Sequence, residues 1–136
     1  MVKETDREIV QEINQAFAAL IVSLKDLARS VPPENLVRSA AAVEQMCGGL
    51  IANLWDDPFE WTLPETLSNA DRVIEYLNEV DLARQRVFSS IDDAALTKFV
   101  SVPSGESRQL IGLLLETLAK ASEVKGRAAT EGHLYS

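Results

Sequence analysis

The chain has one cysteine, Cys47, and one histidine, His133. A lone cysteine closes no intrachain disulfide, and a zinc site needs several His or Cys ligands, so neither staple is available. A Cys–His nucleophile pair would need the C-terminal tail to fold back onto the middle of the chain. A solvated terminal histidine is the plainer expectation. Cys47 stands among Met46, Gly48 and Leu50, the setting of a buried thiol that acts as a small hydrophobe. Glycine and proline number only 6 and 5, and no stretch is low in complexity. No apolar run approaches the ~20 residues that cross a bilayer. The opening Met-Val-Lys-Glu-Thr-Asp-Arg-Glu is charged with no apolar segment behind it, so no signal peptide, no membrane partner and a cytoplasmic location are expected.

Positive charge is also scarce. Thirteen Lys and Arg face 21 Asp and Glu, a formal net charge of −8. Binding nucleic acid requires a basic face that neutralises phosphates. The local basic groups, Arg84 with Arg86 and Lys120, Lys125 with Arg127, are interleaved with acids or apolar residues. No nucleic-acid partner is expected, and the acidity reads as solubility.

What the sequence has is helical periodicity. Ile9, Ile13, Phe17, Leu20, Leu24, Leu27 and Val31 recur at steps of three or four, one stripe on a helix from about Asp6 to Ser30, with Ile21 and Ala28 widening it. Pro32 and Pro33 end it. A second stripe, Leu36, Ala40, Val43, Cys47, Leu50 and Leu54, is joined by Val37, Met46, Ile51 and Trp55. It carries small residues, Ala40–Ala42 with Gly48 and Gly49, that let a neighbour approach closely or mark a kink.

Thr62 with Glu65, around Pro64, makes a capping-box pattern. A third helix follows through Leu67, Ala70, Val73, Ile74, Leu77, Val80, Arg84, Val87, Phe88 and Ile91. Asp92 to Gly105 reads as an irregular connection with one turn of helix at Asp93 to Phe99. Lys98 to Val102 is the one strand candidate, too short to make a sheet by itself. Ser104 or Ser107 would cap a fourth helix, rich in leucine from Leu110 to Leu118 and fading at Gly126. The expected architecture is an all-α four-helix bundle over residues 1–129, with residues 130–136 as a flexible tail.

The search for chemistry yields little. A di-iron bundle uses Glu-x-x-His motifs, and none is present. Glu8 with Glu12, and Glu75 with Glu79, share helix faces by i, i+4 spacing, but on the polar side, as a solvated acidic face. Glu44, at the edge of the second stripe, and Glu116, interrupting the leucines of the fourth, are the carboxylates that could face inward with a raised pKa or sit at a rim. With Trp55 and Trp61 they are the candidate lining of an inter-helix pocket. No catalytic residue, metal or cofactor is assigned.

The layout Thr62-Leu-Pro-Glu-Thr-Leu67, then Ile91-Asp-Asp-Ala-Ala-Leu96, then Pro103 to Gly105 before Leu110-Ile-Gly-Leu-Leu-Leu115, together with Ser-Val-Pro-Pro-Glu-Asn-Leu36 after the first helix, resembles the DinB-like (DinB/YfiT) helical-bundle superfamily over about residues 8 to 128. The resemblance implies a four-helix fold and a tendency to dimerise. In that family two histidines late in the fourth helix join a third from the second helix around a divalent metal, and many members are assigned as thiol transferases. Here the matching positions hold Lys120 and Val124, with Glu123 between them, and Ser39 to Val43 offers no histidine. The resemblance therefore implies a degenerate, non-catalytic bundle, a homodimer that binds a protein partner or a small apolar ligand. The alternatives are a transferase-like or hydrolase-like enzyme with an altered carboxylate site, built on Glu44, Glu116 or Glu123, and an unrelated helical adaptor.

Overall fold

The computed structural model describes residues 4–56 and 69–135, with side chains from 6 to 130. After a 3₁₀ turn at Glu4–Arg7, helix α1 spans Glu8–Leu27 and buries Val10, Ile13, Phe17, Leu20, Ile21 and Leu24. Ile9, expected on the buried stripe, is half exposed, and Val10 takes the inward place. Both residues fit the helical period, and a distant group fixes the first turn. The Asp93 carboxylate accepts from the amides of Ile9 at 3.2 Å and Val10 at 2.9 Å. Because α1 has no side-chain cap of its own, Asp93 satisfies two of its orphan donors and places negative charge at the positive end of the helix dipole.

Helix α2, Pro33–Ala52, begins directly on the proline pair, with Pro33 in the first turn, where a missing N–H costs nothing. Its buried face is Leu36, Val37, Ser39, Ala40, Ala41, Val43, Met46, Cys47 and Gly49. The stripe stops short of Ile51 and Leu54, both largely exposed. Asn53 adopts φ +56°; its amide reaches the Gly49 carbonyl at 3.0 Å and that of Leu54 reaches the Gly48 carbonyl at 3.1 Å. The bond from Asn53 to Gly49 is that of an αL C-cap, and the closure turns the chain out of helical phase after Ala52.

Helix α3, Ala70–Ser89, starts at Asn69, whose side chain accepts from the Arg72 amide at 3.0 Å. The capping pattern at Thr62–Glu65 lies outside the described residues. The α3 stripe is buried from Val73 through Tyr76, Leu77, Val80 and Arg84 to Val87 and Phe88. The expected helical turn appears as a 3₁₀ segment, Asp93–Thr97, capped by Asp92 with Leu96 buried inside.

The following stretch is a hairpin. Strand β1, Phe99–Ser101, pairs antiparallel with β2, Ser107–Gln109, around a turn in which Gly105 takes φ +85°, a conformation glycine adopts without steric cost. Ser107 therefore sits in a strand and does not cap a helix. Helix α4 begins at Leu110, whose amide donates to the Lys98 carbonyl at 2.9 Å. It runs past Gly126 to Tyr135.

Helix α2 is the central element, packed along both α3 and α4; α1 packs mainly on α3 and barely meets α2. Asn14 of α1 meets Arg84 of α3, and Arg29 meets Asp71, so these two helices are antiparallel. Glu44 meets Tyr76, and Ile51 lies near Arg86 and Val87, so α2 and α3 run parallel and no short turn can join them. Ser39 donates to the Ala121 carbonyl of α4 at 2.7 Å, and Trp55 lies by Leu113, which makes α2 and α4 antiparallel. The result is a four-helix bundle carrying one small hairpin. Phe17 and Phe88, with ring centroids 5.5 Å apart, fill the α1–α3 half of its core. Among the described residues, no helix is long and apolar enough to cross a membrane.

Candidate functional site

Glu44 projects from α2 toward α3. Its carboxylate accepts from the Tyr76 hydroxyl at 2.5 Å. Burial pushes its pKa up, the Tyr76 hydrogen bond opposes that, and the charge of Glu79 adds to the rise. One turn on, Cys47 is fully buried, and burial, reinforced by Glu44, pushes the thiol up to about 12. It stays protonated at neutral pH and behaves as core. Arg84 is buried a turn or more away along α3; its guanidinium is held by Asp81 at 2.8 Å and by the Asn14 side chain. This cluster offers one protonatable carboxyl with a phenol partner and no activated nucleophile.

Trp55 and Glu116 do come together. A cleft of about 140 Å³ between α2 and α4 is lined by Ala42, Gln45, Met46, Trp55, Leu113, Glu116, Thr117 and Lys120. Backbone closure at Asn53 throws Trp55 back over the end of α2. Its indole N–H donates to the Asn53 side chain at 2.9 Å, and its carbonyl accepts from Gln45 at 2.7 Å. Glu116 is a rim residue, largely exposed and ion-paired with Arg108. That hydrogen bond holds its carboxyl below the usual range, the opposite direction from Glu44. Glu44 does not line this cleft, and Trp61 lies outside the described residues.

The larger concavity was not foreseen. A groove of about 540 Å³ opens at the hairpin end of the bundle, where the C-terminal ends of α2 and α3 meet the start of α4. Leu50 and Ile51, Val87 and Ile91, Val100 and Leu110 form its apolar walls, and Phe99 stands at its edge, 69% exposed. The volume falls within the ~300–1,000 Å³ of small-molecule sites. Its walls come from four separate stretches of chain, so no local sequence pattern announces it. The local signal was Phe99, a large apolar residue next to Lys98 in a short extended stretch.

Among the described residues, no three His, Cys, Asp or Glu side chains are grouped so as to hold a metal ion. Lys120 is exposed beside the Trp55 cleft and Val124 is half-buried; the side chain of His133 is not among those described. Comparison with protein-family models, with curated proteins and with solved structures finds no match.

Proposed function

We propose that this chain is a non-catalytic helical bundle of DinB-like layout that binds a small apolar ligand in the groove at its hairpin end. The observation that carries the reading is the groove itself: a preformed, mostly apolar concavity of ligand size that no side chain of the described chain fills. The layout is supported by the Asp93-to-Leu96 turn, the short extended stretch and the leucine-rich helix, which follow one another as the resemblance expects. Lys120 and Val124 stand where that family's ligands would be, and neither can bind a divalent cation.

The test is titration with a neutral apolar fluorophore such as N-phenyl-1-naphthylamine. Saturable binding near one per chain is expected, abolished by Phe99→Asp or Ile51→Asp, both at exposed positions. Absence of saturable binding sinks the reading.

The same proposal includes a homodimer. The small residues of α2 are consumed inside the bundle, since Ala40, Ala41 and Gly49 are buried. The surface proposed for self-association is the side of α4 bearing Leu115, half exposed, with half-buried Ile111 and Leu118 at helical spacing beside it.

An enzymatic alternative rests on Glu44, whose raised pKa suits an acid–base group. Elemental analysis finding stoichiometric metal, or hydrolase or transferase activity lost in Glu44→Gln, would favour it over the binding role.

A further inference from the structure

We infer that the ligand of the hairpin-end groove is an amphipathic anion, an aliphatic chain bearing one acidic head, gripped by Arg86 and Lys98. The inference rests on the groove being a ligand site and adds the chemistry of what it takes.

Of the described residues lining the groove, only Arg86 and Lys98 are charged. In a chain with 21 acidic and 13 basic residues, a concavity whose described lining has two cations and no carboxylate runs against the composition. The other arginines with described side chains are engaged. Arg29, Arg38, Arg72, Arg84, Arg108 and Arg127 are ion-paired, and Arg7 donates to the Phe88 carbonyl. Arg86 and Lys98 make no ion pair or side-chain hydrogen bond among the described residues, although both are exposed and free to reach one. Of the acids that follow α3 in the chain, Asp92 accepts from the Ala95 amide and Asp93 from those of Ile9 and Val10.

An occupant matching this wall must cover aliphatic surface and supply negative charge where the two cations stand. A neutral hydrocarbon leaves that positive potential unanswered, and a cation is repelled. At ~30 Å³ for a water-sized group, 540 Å³ has room for an eight-to-ten-carbon chain with its head. Arginine offers a planar fork to carboxylate or phosphate oxygens, and lysine a mobile point charge.

The experiment compares sodium octanoate with 1-octanol by isothermal titration calorimetry on the intact protein, for the wild type and for Arg86→Gln/Lys98→Gln. Octanoate is expected to bind about tenfold more tightly than octanol, the low end for one charge-assisted hydrogen bond. That advantage should vanish in the double variant, whose melting temperature stays unchanged because both side chains are exposed. Equal binding of the two probes, with loss of both in Phe99→Asp, overturns the anionic head and leaves the apolar groove standing. Octanoate binding that survives the double variant places the head elsewhere and overturns the assignment. If neither probe binds, both readings fall. If, in addition, Phe99→Asp converts a dimer to a monomer, the groove's occupant is a second copy of the chain.

Discussion

A Cβ atom added at Gly49 would lie 2.4 to 2.5 Å from indole atoms of Trp55. The side chain that would clash is the one the helix end folds back, so glycine here makes room for the ring that walls the α2–α4 cleft. Replacing Gly49 with alanine sets two effects against each other. Helix propensity improves by up to ~1 kcal/mol, while displacing a packed ring costs ~1–3 kcal/mol. The net stability change therefore runs from near zero to a loss of ~2 kcal/mol, and the specific signature is optical: in a Trp61→Phe background, Gly49→Ala should shift Trp55 emission to the red as the indole moves into water. An unchanged spectrum would mean the backbone, and not the ring, yields. Gly49 was legible as a close-packing residue, but that its partner would be Trp55 was not, because the contact depends on the left-handed turn at Asn53.

Glu44 is the residue with the clearest pH consequence. Its folded pKa lies above the ordinary value near 4.5, so the folded chain keeps this proton over a range where the unfolded chain has lost it. The group's contribution to stability is full below that range and falls away as pH rises through the folded pKa. Glu116, with its lowered pKa, works in the other direction, so the informative quantity is a difference between variants. Glu44→Gln keeps an oxygen for the Tyr76 hydroxyl and removes the ionisation. Its melting temperature relative to wild type should climb between pH 4 and pH 8, and a flat difference would show that Glu44 ionises without penalty. The sequence placed Glu44 and Glu116 alike at the edges of their stripes. What separates them is the burial of Glu44 against α3 and the ion pair of Glu116 with Arg108 of β2, neither of which their own helices predict.

Among elements, α1 shows where periodicity succeeds and where it stops. Spacing alone found Ile13, Phe17, Leu20 and Leu24, all buried, because those residues meet α3 along its length. It chose Ile9 over Val10 because both fit the period, and the decision belongs to Asp93, more than eighty residues away. The same limit explains the hairpin: strands of three residues carry too little alternation to be read, and pairing, not propensity, keeps Ser107 out of α4. If Asp93 fastens the start of α1 to the 3₁₀ segment that follows α3, Asp93→Ala should cost about 1 kcal/mol, up to ~2 with the helix-dipole contribution, measured by urea unfolding. Asp93→Asn, which keeps an acceptor and loses the charge, should recover roughly half. A loss no larger than that of an exposed control such as Glu106→Ala would mean the contact is incidental.

The whole molecule must reconcile a net charge of −8 with the self-association proposed for it. The ion pairs of the described chain, apart from Arg84 with Asp81, are mostly exposed, and such pairs contribute roughly 0–1 kcal/mol each. Screening them costs little, whereas screening the like charge of two acidic chains lowers the barrier to bringing them together. An interface built on Leu115, Ile111 and Leu118 gains from apolar burial, which salt does not weaken. Salt thus removes the repulsion and leaves the attraction, so the dimer fraction in sedimentation equilibrium should rise between 20 and 300 mM NaCl. Leu115→Glu should leave a monomer at both salt concentrations without lowering the melting temperature by more than a few degrees, because Leu115 is already half in water. Dissociation with rising salt would locate the contact among charged side chains, and a dimer unaffected by Leu115→Glu would move it off α4.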